Sequence, residues 1–353
     1  MTPPSDAASR SGASVWTVAE QSGGRLGRIS YELLAWGRRL ADKLRASGRR
    51  GAELCSVVLG AEVREEDLRE LVLRGADAVY VVESPALRDF LVEPYAQALQ
   101  RLIAEHRPWV VIAGATSMGR TLMPHVAVRI PTGLTADCTG LDIDEETGNL
   151  VQTRPAVGGN VLATILTARH RPQMATVRPR SAAPPERVEG REGRIVKAAL
   201  TVESLTSAVR WLGLRGFPPD EASLQDAEKV VSGGRGLKKG ENFALVRELA
   251  ETLDAAVGAS RDAVDRGWIS YPHQVGLSGK TVSPRLYVAV GISGSIQHLA
   301  GMRTAGCVVA INNDPDAQIF QAADFGVVGD LFEFVPALVE EIRRRKAQKE
   351  RNA

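Results

Sequence analysis

The stretch Leu286-Tyr287-Val288-Ala289-Val290-Gly291-Ile292-Ser293-Gly294-Ser295-Ile296-Gln297-His298 decides the fold of the C-terminal half of the chain. Residues 286–290 are a short apolar run that reads as a buried strand, Gly291 and Gly294 open a turn, and residues 295–305 read as a short helix closed by Gly306. Glycine lets a backbone approach a phosphate closely, and the free amides at a helix start favour an anion. Outward from this stretch the same grammar repeats. Residues 229–232 read as a strand ending in Gly233 and Gly234, and Val246, Leu249, Ala250, Leu253 and Val257 mark one face of a long helix. Residues 308–311 and 325–328 read as further strands, and a last helix begins near Glu333.

Upstream, residues 15–19, 54–59, 76–82 and 109–113 read as strands. Residues 29–44, with Leu33, Leu34, Leu40 and Leu44 at near-helical spacing, and residues 95–105 read as helices. Alternating strands and helices imply a parallel sheet covered on both faces. Near Leu134 the pattern changes: residues 141–144 alternate, 145–149 supply a turn and 150–154 are extended, a hairpin-like insertion. Residues 178–194, crowded with Pro, Ala, Gly and charge, read as loop, and residues 196–205 as a short closing strand. The expected fold is therefore α/β with two doubly wound domains. A tail covers 1–14, an N-terminal nucleotide-binding-like domain with a β-hairpin insertion covers 15–207, a linker marked by Gly216, Pro218 and Pro219 covers 208–227, and a Rossmann-like domain with a basic C-terminal helix covers 228–353.

Composition narrows the partners. The chain has 353 residues, enough for two cores, and its 44% hydrophobic and 24% charged content is that of a folded globular protein. A net charge of +2 gives no field that would draw nucleic acid. No apolar run is long enough to cross a bilayer, so membrane contact is expected only through a partner. Cys55, Cys138 and Cys307 form no CxxC pair and read as reduced thiols of a cytoplasmic protein, with no metal site. The first 14 residues lack the apolar run of a secretory signal. The run Arg343-Arg344-Arg345-Lys346 reads first as cations complementing the end of the last helix, with an acidic docking partner as the alternative.

Three glycine-rich turns lie in the second domain: Ser232-Gly233-Gly234-Arg235-Gly236, Gln274-Val275-Gly276-Leu277-Ser278-Gly279-Lys280-Thr281, and the turn at Gly291. Each misses a standard fingerprint by a small margin. Gly234 and Gly236 are followed by Gly240, one place too late for GxGxxG, and Gly291 to Gly294 lacks the middle glycine. The second nearly spells a Walker A motif, but Gln274 replaces its first glycine and Pro284 stands where the helix should run. Any single loop reads equally as an ordinary tight turn; three in one small domain point to a nucleotide. Asp314, about twenty residues after Gly294, suits a ribose contact, and Asp330 closes the fourth strand, yet either also reads as a cap or turn former. Arg235 and Arg261 read either as charge for a pyrophosphate or an anionic ring, or as solvated surface.

The runs Val230-Val231-Ser232-Gly233-Gly234-Arg235-Gly236-Leu237, Ala255 through Arg261 (AAVGASR), Gln274 through Lys280 (QVGLSGK), Tyr287 through Leu299 (YVAVGISGSIQHL) and Ala310 through Pro315 (AINNDP) resemble the α subunits of electron transfer flavoproteins. The resemblance covers essentially all of the second domain and extends through residues 15–179 of the first, including Ser30-Tyr31-Glu32-Leu33 and Gly114-Ala115-Thr116-Ser117. It implies an FAD bound across the three loops. Ser260 and Arg261 match the family's Ser-Arg pair, whose arginine lies near the isoalloxazine and favours anionic reduced flavin. Ser278 matches the hydroxyl beside flavin N5; where many members carry Gln-Thr this chain has Leu277-Ser278, so the hydroxyl is kept and the amide lost. His298 matches the residue near the pyrimidine carbonyl, and its place in the first helical turn opposes protonation, which suits a neutral donor. Gln274, Val275 and Gly276 belong to the same loop. Gly291, Ile292, Ser293, Gly294, Ser295, Ile296, Gln297, Asn312, Asp330 and Leu331 match the remaining phosphate, ribose and adenine contacts, and Arg235 a further cofactor-side arginine.

Thr132 through Cys138, Gln152 through Pro155, Gly158-Gly159-Asn160 and Arg171 through Pro179 resemble the branch with electron-bifurcating and nitrogen-fixation-associated members. The resemblance implies a heterodimer with a β subunit that holds AMP or a second FAD. It further implies acyl-CoA dehydrogenase-type donors, as in fatty acid β-oxidation, and a quinone oxidoreductase-type acceptor. The five histidines form no HExxH and there is no GxSxG elbow, which suits an electron carrier rather than a conventional enzyme. A NAD-binding doubly wound oxidoreductase, an NADH-oxidising bifurcating form and a structural subunit with a vestigial pocket are the alternatives.

Overall fold

The computed structural model describes residues 13–49, 51–156, 161–198, 205–213, 224–225 and 227–351. Two compact units divide the chain, Met1–Gly213 and Leu214–Ala353. Most of the tail, the Gly158-Gly159-Asn160 run, residues 199–204 of the closing strand and Gly216, Pro218 and Pro219 of the linker lie outside the described residues.

The first unit contains strands β1 (Val15–Val18), β2 (Gln21–Ser22) and β3 (Arg25–Leu26), helix α1 (Arg28–Ala46), β4 (Leu54–Gly60), α2 (Glu65–Leu73), β5 (Ala78–Glu83), α3 (Val92–His106), β6 (Val110–Gly114) and α4 (Ser117–Arg129). Strands β7 (Leu134–Cys138), β8 (Gly140–Ile143), β9 (Leu150–Pro155), β10 (Leu162–Leu166), β11 (Gln173–Val177) and β12 (Arg194–Lys197) follow. Seven of these strands form one sheet in the order β12-β5-β4-β1-β6-β11-β7, with every neighbouring pair parallel. Because both faces are covered, strands such as β4, with all seven residues buried, read as continuous apolar runs rather than alternating ones. Leu33, Leu34, Leu40 and Leu44 of α1 pack with Val15, Leu54 and Val110 on one face, while Tyr95, Leu99 and Leu102 of α3 pack with Trp16, Val57 and Val111 on the other.

Three elements escape the periodicity. Helix α2 falls between two strand-like runs, and α4 contains Gly119 and Pro124, which blur its apolar face. Strand β11 is fully buried yet begins with Gln173. Its side chain is accommodated because Oε1 accepts from the Leu150 amide at 2.8 Å and Nε2 donates to the Thr167 carbonyl at 2.7 Å. The insertion is a three-stranded antiparallel sheet, β10-β9-β8, rather than a two-stranded hairpin.

The second unit contains β13 (Lys229–Gly233), α5 (Phe243–Leu253), β14 (Ala256–Ala259), α6 (Arg261–Asp265), β15 (Leu286–Val290), α7 (Ile296–Met302), β16 (Val308–Asn312), β17 (Phe325–Val328) and α8 (Leu331–Arg351). Its sheet is wholly parallel in the order β14-β13-β15-β16-β17, which reverses direction between β13 and β15. A crevice opens at the carboxyl ends of the strands at such a reversal, and ligands of open α/β sheets bind there. Helices α5 and α8 cover one face through Val246, Leu249, Val335 and Val339; Tyr287, Ala289, Ala310 and Met302 fill the other. Among the described residues no helix is long and apolar enough to cross a membrane.

One boundary differs from the sequence reading. Val257, expected on the helix face, lies in β14, because α5 ends at Leu253 and Asp254 turns the chain with φ 54° and ψ 57°. That left-handed conformation is strained for a side chain with a Cβ and natural for glycine. Asp254→Gly is expected to stabilise the second unit by about 0.5–1 kcal/mol, read as a higher denaturant midpoint with an unchanged slope.

Candidate functional site

The three glycine loops meet at the β13/β15 crevice because two of them leave the carboxyl ends of those strands. The amide of Gly234 donates to the Val290 carbonyl and that of Gly236 to the Gly291 carbonyl, both at 2.9 Å, so one turn lies flat on the other. A Cβ on Gly236 would fall 2.7 Å from the Gly291 Cα, and Gly291 itself has φ +62°. These glycines are required by loop-on-loop contact, a physical reason the motif spacing does not encode. Gly294, at φ +83°, lies against the backbone of Ile319.

Around this contact is a cavity of about 660 Å³, within the usual size of small-molecule sites. It gathers Arg235 from the first loop, Ser260 and Arg261 from the β14–α6 junction, and Gln274, Val275, Gly276, Leu277 and Ser278 from the second loop. Gly291, Ile292, Ser293, Gly294, Ser295, Gln297 and His298 line it from the third loop, and Asn312 from the end of β16. Ile296, Asp330 and Leu331, the other residues singled out in the sequence, do not line it. Ile296 is exposed, Leu331 is buried against Gly291, and the Asp330 carboxylate accepts from the Phe332 amide at 2.8 Å, capping α8. Asp314 lines the cavity while its carboxylate accepts from the Asp316 amide, the turn-forming role that its sequence context also allowed.

Gly236 of the first glycine loop also lines the cavity, as do Asp262, Asp265 and Asn313, which the spacing of the glycines gave no reason to select. Arg261 pairs with Asp265 at 3.2 Å, one helical turn on, with its side chain 69% exposed. A pair so solvated is weak, which leaves the guanidinium available to an anionic ligand. The Ser278 hydroxyl accepts from the Gln274 amide at 3.1 Å, and Tyr271 donates to the Ser278 carbonyl at 2.9 Å, so the second loop is braced from both sides.

His298 is the most distinctive group. Its ring is 5% exposed, Nε2 lies 2.9 Å from the Tyr287 hydroxyl, and Nδ1 is buried without a partner in hydrogen-bonding geometry among the described residues. Burial pushes its pKa down from 6.5 to about 4, with the Val275 backbone pulling weakly the other way, so the ring is neutral at physiological pH. The Ser260 hydroxyl is likewise buried and unpartnered. An exposed cation, the Ser278 hydroxyl and loop amides without a protein acceptor among the described residues line one cavity, and they fit a large ligand that carries both hydrogen-bonding ring atoms and anionic groups. A flavin dinucleotide has that chemistry.

Residues 15–203 match the family model described as electron transfer flavoprotein domain, and residues 223–303 the one described as electron transfer flavoprotein FAD-binding domain. The chain is 47% identical to the electron transfer flavoprotein subunit alpha of Thermoanaerobacterium thermosaccharolyticum, over 94% of this chain and 98% of that one. It is 41% identical to the protein of the same name in Megasphaera elsdenii, over 94% and 97%. It is 44% identical to Protein FixB of Azorhizobium caulinodans, over 94% and 89%.

The depressed His298 pKa makes stability depend on pH in a defined window. Above about pH 6.5 the imidazole is neutral in both folded and unfolded chains; as the pH falls towards 4 only the unfolded chain takes up the proton, so stability is lost across that interval. The loss is about 3 kcal/mol in order of magnitude. Urea denaturation of the wild type between pH 7 and 4 should show it, and His298→Gln should flatten that part of the profile while leaving the carboxylate-driven loss below pH 4 intact.

Proposed function

As the chain belongs to the electron transfer flavoprotein family as an α subunit, we propose that the cavity of its second unit holds the FAD through which electrons pass. The observation that carries the reading is the convergence of Arg261, Ser278 and His298 on one cavity at the strand-order reversal. Bound there, FAD supplies the electron-accepting and electron-donating chemistry; the protein binds it, orients it and sets the charge around its ring. Arg261, at the solvated rim, places a cation where negative charge on the ligand is favoured. Ser278, held by Gln274, presents its hydroxyl to the ring edge, and neutral His298 offers a hydrogen bond without adding charge. The amides of residues 293–295, which have no protein acceptor among the described residues, suit the pyrophosphate.

The family implies a β subunit as partner. For the remainder of the circuit we propose AMP or a second FAD in that subunit, acyl-CoA dehydrogenase-type donors, a quinone oxidoreductase-type acceptor and a cytoplasmic location.

The α and β chains co-purified should be yellow, with FAD retained through gel filtration. One FAD per heterodimer goes with the ordinary carrier; two, with anaerobic reduction by NADH, go with the bifurcating form. A folded, colourless complex that cannot be reconstituted with FAD, or one that binds NAD tightly in its place, overturns the reading. In the loaded complex Arg261→Ala should lower the flavin midpoint potential by roughly 60 mV, a tenfold change for one electron, as read by dye-equilibrated titration.

A further inference from the structure

The strand order of the first unit reverses at β1, which pairs with β4 on one side and with β6 on the other. The carboxyl ends of β1 and β6 are therefore the counterpart of the β13/β15 crevice that holds the cavity of the second unit. The registers extend this equivalence to single residues. Val18 pairs with Ala113 as Gly233 pairs with Val290, so Gly114 corresponds to Gly291 and Glu20 to Arg235. At one position, then, the second unit sets a cation on its cavity and the first unit has a half-buried carboxylate.

That carboxylate lies in its own crevice. The Thr116 hydroxyl donates to Glu20 Oε1 at 2.6 Å and accepts from the Gly119 amide at 3.1 Å, as the N-cap of the 13-residue α4. A Cβ on Gly114 would lie 3.0 Å from the same Oε1, and one on Gly119 would strike the Gly114 carbonyl oxygen. The Glu20 backbone is fixed as well. Its amide donates to the Ser30 hydroxyl at 2.9 Å, and its carbonyl accepts from that hydroxyl at 3.1 Å and from the Gly27 amide at 2.9 Å. Ser30, Gly114 and Thr116 come from the two runs of the first unit that the cavity of the second leaves unexplained, and they share this one partner.

We propose that Glu20 is a built-in anion: its carboxylate takes the place at the head of α4 that a nucleotide phosphate would take, and so closes the crevice of the first unit to nucleotides. The positive end of α4 favours a carboxylate there, and one carried by the chain is held without the loss of translational freedom that binding a separate anion costs. A phosphate entering the same place would meet both filled space and a like charge. In the second unit Arg235 reverses that sign, and the equivalent turn keeps the amides of residues 293–295 without a protein acceptor among the described residues. Closure of the first unit does not depend on which nucleotide the second one holds.

The test is photolabelling of the assembled αβ complex with azido-AMP, its resident cofactors in place, followed by mapping of the labelled peptides. The wild type is expected to carry no label in residues 19–30 or 114–120. In Glu20→Ala those peptides should become labelled, inorganic pyrophosphate should compete the label away, and the thermal midpoint should shift upward with pyrophosphate at constant ionic strength. Glu20→Gln, which keeps the volume and the acceptor for Thr116, should stay unlabelled. Label in these peptides of the wild type, no label there in Glu20→Ala, or label that pyrophosphate does not displace would each overturn the proposal. Glu20→Ser opens the same space should the alanine variant fail to assemble, with the same expected and overturning results. A complex that carries no FAD overturns the cofactor reading alone, because the labelled peptides belong to the first unit.

Discussion

Where the β13 and β15 strands end, the turns that follow them lie backbone against backbone. Gly236 donates to the Gly291 carbonyl, and neither position has room for a Cβ. Two parallel strands about 4.8 Å apart would normally send their loops away as separate elements. Here the loops are held together at the point where the strand order reverses, and the floor of the cavity is the result. The groups that give the site its chemistry reach it from the elements around that contact: the third loop leads into α7, which carries His298, and β14 leads into Ser260 and Arg261.

The polarity of the site follows from how deeply each group is set. His298 sits in a buried wall, where a charge would be costly, and is therefore a neutral hydrogen-bonding group. Arg261 sits at the rim, solvated and loosely paired with Asp265, and is therefore a cation free to meet an anion. A redox cofactor whose ring changes charge needs both kinds of group, one that recognises it without regard to charge and one that responds to it. The two units share a doubly wound architecture, but the described residues place this combination of groups only in the second.

The elements that were legible in the sequence are those whose burial is simple. Strand β15 is bounded in the structure at the residues the apolar run suggested, and α1 and β4 differ from their sequence readings by a residue or two. The elements that were missed break pattern for local reasons: Pro124 lies within α4, Gln173 is buried in β11 behind two side-chain hydrogen bonds, and Asp254 adopts a conformation that the sequence assigns to glycine. In each case a tertiary contact or backbone turn overrides the residue's own preference, and a one-dimensional pattern carries no record of it.

By itself the sequence determined the alternation of strands and helices, the three glycine turns and, through the residues between them, the family. It also nominated most of the residues that line the cavity, because binding residues cluster in loops and those loops have distinctive composition. Only the tertiary structure decided what each of them does. It showed that glycines read as making room for a phosphate first make room for one another, that Asp330 caps a helix, and that Tyr287, an unremarked residue of a buried strand, reaches the imidazole on the neighbouring helix. The physical reason is the same throughout. Spacing along the chain fixes which residues leave a strand together, but the partners available to a buried polar atom are set by the elements packed across from it, and those are chosen by strand order.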